Sequence, residues 1–149
     1  MDEMRELYQE TILDHHKHPR NFGKLENAHS SEGYNPLCGD RITVYVLLDG
    51  DVIKDIAFEG SGCAICTASA SVMTEMLKGK PTEEAERLFG KFHELVTGDP
   101  SETPNTEGLG KIAVFSGVRE FPVRIKCATL AWHTLRAAME DKTESVSTE

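Results

Sequence analysis

Two segments of the chain alternate apolar and polar residues with the period of a β-strand. The first covers 41–48 and the second 52–59, and Asp49-Gly50-Asp51 between them is a strong hairpin signal. We expect one face of each strand to be buried and the other to face solvent. A further short strand is predicted near 28–34. The residues expected on the buried face are Ile42, Val44, Val46, Leu48, Ile56 and Phe58.

Apolar residues recur at helical spacing in four other segments. The first predicted helix covers 2–17, and the second begins at Cys63 and ends near Lys78. Thr82 is expected to cap the third helix, and the fourth covers roughly 123–140. The apolar set of the third helix is Leu88, Phe89, Phe92, Leu95 and Val96.

These elements predict an α+β fold, with a three-stranded antiparallel sheet and helices packed on one of its faces. The segment 97–110 is rich in glycine and proline, so we expect a functional or mobile loop there. A short helical piece is predicted at 111–116. We expect a single domain over 1–140 and a disordered polar tail at 141–149.

The composition narrows the functional classes. Of the 149 residues, 39% are hydrophobic and 28% are charged, which is typical of a soluble globular protein. No apolar run approaches the ~20 residues that a membrane helix requires, and the acidic N-terminal segment does not resemble a signal peptide. We therefore expect a cytoplasmic protein without a membrane partner. The formal net charge of −9 argues against nucleic acid as a main partner, because phosphate binding needs a basic surface.

Cysteines are the candidate chemistry of the chain. Cys63 is expected at a helix start, where unpaired N–H groups and the helix dipole favour the thiolate. Cys38 and Asp40 stand two residues apart at the entry to a strand, so their side chains point the same way if that segment is extended. Cys127 lies in the first turns of the last predicted helix. These groups can converge on one tetrahedral metal site at one end of the sheet. Three thiolates and one carboxylate suit Zn²⁺, and the same thiolates could hold an iron–sulfur cluster.

The fourth cysteine, Cys66, admits three interpretations. It could form a redox pair with Cys63, three residues before it. It could replace Asp40 in an all-thiolate metal site. It could also be a buried small residue on the inner side of the helix, which is the interpretation we favour because no parallel βαβ pattern surrounds the cysteine pair.

Other titratable groups have simpler explanations. His15, His16 and His18 suggest a metal site at first, but consecutive helical residues point apart, so we interpret them as helix-end capping and packing. Arg124 and Lys126 could offset the negative charge of a site at Cys127, or could be exposed residues on a solvated helix face.

Motifs that appear in order along nearly the whole chain resemble those of the iron–sulfur cluster assembly scaffolds of the IscU/NifU type. The resemblance is stronger to the SufU branch of that family. The motifs are Tyr8…Ile12-Leu13-Asp14-His15…Pro19-Arg20-Asn21, Asn35-Pro36-Leu37-Cys38-Gly39-Asp40, Gly60-Ser61-Gly62-Cys63-Ala64-Ile65 with Ala68-Ser69-Ala70-Ser71, and Arg124-Ile125-Lys126-Cys127-Ala128-Thr129-Leu130-Ala131-Trp132.

Two features select the branch within this resemblance. IscU-type scaffolds carry a histidine immediately before the third ligand cysteine, and Lys126 stands there in this chain. SufU-type proteins carry an insertion between the second and third ligand cysteines, and 97–116 looks like that insertion. The departure from the family pattern is Cys66, where relatives more often have a serine or another small residue.

The resemblance implies a function and a set of residue roles. It implies zinc on Cys38, Asp40, Cys63 and Cys127, and a pyridoxal-phosphate cysteine desulfurase of the SufS type as partner. Cys38 would accept persulfide sulfur, Arg124 would help to dock the partner, and the sulfur would pass to downstream iron–sulfur assembly proteins. The chain would then have sulfurtransferase activity. The alternatives are a scaffold that assembles and transfers a [2Fe–2S] cluster on the same residues, and a zinc-stabilised protein without transfer chemistry.

Overall fold

The computed structural model describes residues 3–99, 101–102, 106–140 and 146–147. Its helices and strands follow the order α1, β1, β2, β3, α2, α3, a 3₁₀ helix, α4 and β4. Their bounds are α1 Glu3–Lys17, β1 His29–Asn35, β2 Asp40–Asp49, β3 Val52–Ser61, α2 Ala64–Leu77, α3 Thr82–Thr97, the 3₁₀ helix Gly110–Glu120, α4 Pro122–Met139 and β4 Val146–Ser147.

The sheet has the spatial order β3-β2-β1-β4. Antiparallel pairing joins β1 to β2 and β2 to β3, which confirms the predicted three-stranded meander. The β2 residues predicted to face the core, Ile42, Val44 and Val46, are at most 2% exposed. Helices cover this buried face, with α4 against β1 and β2 and with α2 against α4 and β3. The predicted α+β fold with helices on one face is therefore confirmed.

A two-residue strand extends the sheet beyond the prediction. Val146 and Ser147 pair in parallel with Gly33 and Tyr34 of β1. These two residues of the predicted tail 141–149 are the ones that the structure describes, and they form a short strand. The rest of that tail lies outside the described residues.

Two local predictions need correction in the helical layer. Pro81, not Thr82, is the N-cap of α3, and no side chain caps that helix end. The helical piece predicted at 111–116 extends over Gly110–Glu120, and most of its side chains are buried. The second half of the 97–116 insertion loop is thus part of the core, because its apolar residues pack on α3, where the rings of Phe115 and Phe92 meet edge to face with centroids 6.0 Å apart.

A buried guanidinium attaches the first half of that loop to α3. Arg119 is 8% exposed, and its Nε and Nη2 donate to the carbonyl of Leu95 at 2.8 and 2.6 Å. Its Nη1 donates to the carbonyls of Asp99 and Glu102 at 3.2 and 3.3 Å. Backbone carbonyls, which solvate a buried cation, therefore hold the described part of this loop in place.

Helix α1 is fixed to α2 through one hydroxyl group. The Ser71 hydroxyl accepts a hydrogen bond from the backbone N–H of Arg20 at 2.8 Å, and its oxygen lies 2.6 Å from His15 Nδ1. His15 is fully buried, so the interpretation as a packing residue is confirmed for this histidine. No helix in the described part of the chain is long and apolar enough to cross a membrane.

Burial lowers the pKa of His15 to about 4, and the nearby cations add to this effect while the nearby carboxylates oppose it. The cations are Lys111 and Arg20, and the carboxylates are Glu75 and Asp14. The folded protein thus keeps His15 neutral at pH values where the unfolded chain, with a pKa of about 6.5, already binds a proton. The stabilisation is complete above the unfolded pKa and is lost as the pH falls from about 6.5 towards 4.

The variant His15→Gln should lose part of this pH dependence. We expect the wild-type free energy of unfolding to fall by on the order of 2 kcal/mol between pH 6.5 and 4.5, and the fall in the variant to be clearly smaller. Urea denaturation at a series of pH values measures both. His16→Gln is the control, because His16 is exposed. A wild-type slope in His15→Gln would contradict the assignment.

Gly33 and Gly90 offer a matched pair for testing how closely α4 packs on the sheet. A Cβ on Gly33 would overlap Thr134 Oγ1 and lie 3.0 Å from Leu130 Cδ1, whereas a Cβ on Gly90 in α3 meets nothing within 4 Å. Gly33→Ala should lower the free energy of unfolding by about 1–3 kcal/mol. Gly90→Ala should raise it by about 0.5–1 kcal/mol, since alanine favours a helix. Equal effects in denaturant titrations would rule out the close packing.

Candidate metal centre

Three connections of the fold place the predicted ligands at one end of the sheet. Cys38 lies in the tight turn between β1 and β2, and Asp40 is the first residue of β2. Cys63 is the N-cap of α2, directly after β3, with extended backbone angles. Cys127 lies in the second turn of α4. Gly39, with a φ of +71°, allows the turn that brings Cys38 back over the start of β2.

The structure brings three of these four side chains together. One ligand atom each from Cys38, Asp40 and Cys127 lies within 4.8 Å of the others, and the two sulfurs are 3.2 Å apart. Asp40 and Cys127 are completely buried, while Cys38 is only partly buried. The fourth predicted ligand, Cys63, is not in this group, although its side chain interacts with the Cys127 thiol. The arrangement is a compact cluster of soft and hard donors with one accessible thiol.

Asp40 is held by groups from two other elements. Its Oδ1 accepts a hydrogen bond from the backbone N–H of Cys63 at 2.8 Å, and its Oδ2 accepts one from Asn35 Nδ2 at 3.2 Å. Gly62 lies so close that a Cβ there would be 2.8 Å from Asp40 Oδ1. The small residue before the helix start is therefore needed for the approach of the carboxylate.

The pKa values of Cys63 and Cys127 are shifted in opposite directions. Donation from the Cys127 thiol lowers the pKa of Cys63 to about 6, with the N–H groups of Cys66 and Ile65 adding to this effect and with burial and Asp40 opposing it. The Cys66 N–H lies 3.4 Å from Cys63 Sγ. The same hydrogen bond to Cys63, together with burial, raises the pKa of Cys127. Cys63 thus ionises more readily than Cys127, and binding of a cation would displace the proton that Cys127 keeps.

The fold places the other sequence candidates as follows. Arg124 is exposed on the first turn of α4, where a hydrogen bond to Cys127 and the negative charge of Cys63 raise its pKa. Cys66 is 2% exposed and lies outside the ligand group, and burial raises the pKa of its thiol. The buried position agrees with the interpretation of Cys66 as a small core residue. His16 and His18 are exposed and stand apart from this cluster.

Comparison with known proteins assigns the fold to a family. Residues 7–128 match the sequence profile described as NifU-like N terminal domain.

The chain belongs to this family.

Among its relatives, the zinc-dependent sulfurtransferase SufU of Bacillus subtilis is 46% identical over 129 residues, which are 87% of this chain and 86% of that protein. The iron–sulfur cluster assembly scaffold protein IscU of Streptococcus pyogenes is 43% identical over 140 residues, or 94% of this chain and 87% of that protein. The resemblance found in the sequence to SufU and IscU proteins is confirmed.

Solved structures agree with this assignment. The putative iron–sulfur cluster assembly scaffold protein for the SUF system from Fervidobacterium islandicum has a TM-score of 0.81 and 41% identity, covering 91% of this chain and 98% of that one. The N-terminal part of a nitrogen-fixing NifU-like protein from Brucella abortus has a TM-score of 0.77 at 21% identity, with coverage of 93% and 95%. That second likeness is evidence for the shared fold alone.

Sequence reasoning missed two residues at this NifU-like site. Asn35 is completely buried and contacts both Asp40 and Cys127. Its signal in the sequence is weak, because an asparagine before a proline is first explained as a turn residue. Tyr8 of α1 is the second: burial raises its pKa, Arg124 lowers it, and the thiols Cys63 and Cys127 raise it further. Only the folded position of Tyr8, within electrostatic range of Arg124 and these two thiols, reveals it.

Gly62→Ala should weaken metal binding without unfolding the protein. The new methyl group would push Asp40 Oδ1 out of place, and changing a residue that orients a metal ligand typically costs about 10–100-fold in metal affinity. We expect the affinity for added Zn²⁺ or Co²⁺, measured by competition with a chromophoric chelator under anaerobic conditions, to fall by at least about tenfold. Gly117→Ala is the matched control, because a Cβ there meets nothing within 4 Å. Equal affinities in the two variants would show that Asp40 does not need the space beside Gly62.

Proposed function

We propose that this chain is a zinc-dependent sulfur carrier that accepts persulfide sulfur from a SufS-type cysteine desulfurase for iron–sulfur cluster assembly. The observation that carries the proposal is the partly buried Cys38 thiol, 3.2 Å from the buried Cys127 sulfur within the Cys/Asp cluster. A sulfur acceptor must be accessible to a partner, while its neighbours must hold it in place. The relationship to the SufU protein of Bacillus subtilis, which is named a zinc-dependent sulfurtransferase, supports the zinc and the transfer chemistry.

Cys38, Asp40, Cys63 and Cys127 would hold the zinc ion. The donor set fits this ion, since three sulfurs and one carboxylate oxygen are among its preferred ligands, and the first, second and last of these residues already cluster within 4.8 Å. Bound zinc supplies a redox-inert positive charge that keeps sulfur ligands ionised. Cys63 is the ligand of this set whose thiol already ionises readily, with a pKa of about 6.

Cys38 performs the transfer step. Its thiolate attacks the terminal sulfur of the persulfide on the desulfurase cysteine, which forms a new S–S bond to Cys38 and breaks the S–S bond of the desulfurase. The desulfurase cysteine leaves as a thiolate, and the transferred sulfur keeps its proton. No net oxidation or reduction occurs, because one persulfide replaces another. Downstream iron–sulfur assembly proteins then receive the sulfur from Cys38.

The surface beside Cys38 suits a protein partner. Leu37, Phe121 and Val123 are between 51% and 61% exposed, although they are large apolar residues. Leu37 precedes Cys38 in the turn, and the other two lie at the start of α4 before Arg124 and Cys127. An apolar surface next to a cation is typical of protein interfaces. We infer that Arg124 anchors the desulfurase there.

A second function uses the same residues. The relative from Streptococcus pyogenes is named an iron–sulfur cluster assembly scaffold protein, at 43% identity over 94% of this chain. The cluster of thiols and Asp40 would then hold a transient [2Fe–2S] cluster as cargo. Lys126, in the place where the IscU-type pattern has histidine, favours the sulfur carrier.

Metal content and desulfurase stimulation distinguish the two functions. The protein is purified without oxygen, and bound zinc, iron and sulfide are measured before the protein is added to a SufS-type desulfurase with cysteine as substrate. One zinc per chain and a marked stimulation of sulfide or alanine release would support the sulfur carrier. Stoichiometric iron and sulfide with little zinc would overturn it in favour of the scaffold.

Cys38→Ala should abolish sulfur acceptance, whereas Cys66→Ser should keep most of it. Cys38 is the clustered cysteine that is only partly buried, whereas Cys66 is 2% exposed and lies outside the ligand cluster. Intact-protein mass spectrometry after incubation with desulfurase and cysteine should detect the mass gain of a sulfur atom in the wild type and in Cys66→Ser only. Loss of the bound metal in Cys66→Ser would refute the ligand assignment.

A further inference from the structure

Through its side chain, Asn35 contacts two of the clustered ligands, Asp40 and Cys127. It is the last residue of β1, it is fully buried, and it faces Asp40 directly in the register of β1 and β2. Its Nδ2 lies 3.2 Å from Asp40 Oδ2 and 3.5 Å from Cys127 Sγ. A side-chain amide has two N–H donors, so a single asparagine can serve a carboxylate and a thiolate at once.

The acceptor end of the same amide organises the turn that carries Cys38. Asn35 Oδ1 accepts a hydrogen bond from the backbone N–H of Leu37 at 3.3 Å. An asparagine that binds the backbone two residues ahead forms a small, stable turn. Asn35 therefore contacts Asp40 and Cys127 directly, and it reaches Cys38 through the backbone between them.

The contacts of Asn35 act differently on the two thiols. Cys127 is fully buried and receives the N–H of Asn35, and such a hydrogen bond draws electron density from a thiolate and fixes its sulfur. Cys38 is only partly buried and stands in the turn. An accessible thiolate without a fixed buried environment exchanges sulfur more readily than one held by a donor. Of these two neighbouring sulfurs, Cys127 thus receives a hydrogen bond from Asn35 that fixes it.

We propose that Asn35 is a positioning residue that makes Cys127 the fixed ligand and Cys38 the sulfur-accepting thiol. It does so by holding Asp40 and Cys127 through its two N–H groups and by holding the Cys38 turn through its oxygen. This inference rests on the proposed function, since it explains which of two adjacent thiols receives the sulfur.

The test compares Asn35→Asp, Asn35→Ser and Ser71→Ala. Asn35→Asp keeps the shape and the acceptor for Leu37 but has no N–H group, and Asn35→Ser keeps one small hydroxyl. Ser71→Ala is the control for stability, because it removes a buried hydroxyl that contacts His15 and the Arg20 N–H, away from the ligands. If Asn35 only stabilised the fold, all three variants would show the same zinc affinity and the same cysteine reactivity at equal stability.

Two measurements respond to positioning rather than to stability. The first is the Zn²⁺ affinity by chelator competition, which should fall by about 10–100-fold in both Asn35 variants and by less than about threefold in Ser71→Ala. The second is limited alkylation of the zinc-loaded protein with iodoacetamide, followed by peptide mapping. In the wild type and in Ser71→Ala we expect Cys38 to be modified at least about tenfold faster than Cys127, and in the Asn35 variants this preference should be lost.

Wild-type affinity together with wild-type cysteine preference in the Asn35 variants would overturn the inference. The proposed function has its own test, which it fails if the wild type gains no sulfur at Cys38 from the desulfurase.

A measurement on the wild type covers the case in which neither Asn35 variant folds. The side-chain amide protons of Asn35 should shift in NMR spectra when Zn²⁺ is added, while those of Asn21, which donate to Thr74 Oγ1, should not. Unshifted Asn35 resonances would refute direct contact with the metal ligands.

Discussion

A fully buried carboxylate imposes the main constraint on this structure. Asp40 is 0% exposed, and an ionised carboxylate is costly to bury unless hydrogen bonds or a cation compensate for the lost water. The N–H groups of Cys63 and Asn35 supply part of that compensation from α2 and β1. This compensation requires three chain segments to lie close together: the end of β1, the start of β2 and the start of α2. The clustered thiols lie at the same place.

Periodicity in the sequence was sufficient for most of the fold. The alternation along 41–48 and 52–59 predicted the two longer strands, since a strand with one buried face must repeat every two residues. The cap of α3 was predicted wrongly because Pro81 and Thr82 both suit a helix start, and only the backbone distinguishes them. The long 3₁₀ helix was underestimated because its most buried apolar residues, Ile112, Phe115 and Val118, repeat every three residues rather than with the α-helical period. Tertiary packing on α3 decides its limits.

For the candidate metal centre, the sequence indicated which residues take part but not how they are arranged. Residue types and positions at element ends indicated Cys38, Asp40 and Cys127, which the structure places within 4.8 Å of one another. Cys63 was predicted with them but stands just outside that cluster, a difference of ångströms that no spacing rule resolves. Asn35 could not be identified from its own residue type, because its role depends on the strand register that sets it opposite Asp40.

The turn between β1 and β2 limits the reach of Cys38. Only two peptide units separate it from Asp40, so its Cα can never move further than about 7 Å from the anchored carboxylate residue. A sulfur atom on Cys38 cannot swing between distant partners as it would on a long flexible arm. Under the proposed function, donor and acceptor proteins must visit the same small area in turn, and each must leave before the other can bind. The rate of sulfur transfer would then depend on how the donor and acceptor proteins compete for one binding surface around Cys38.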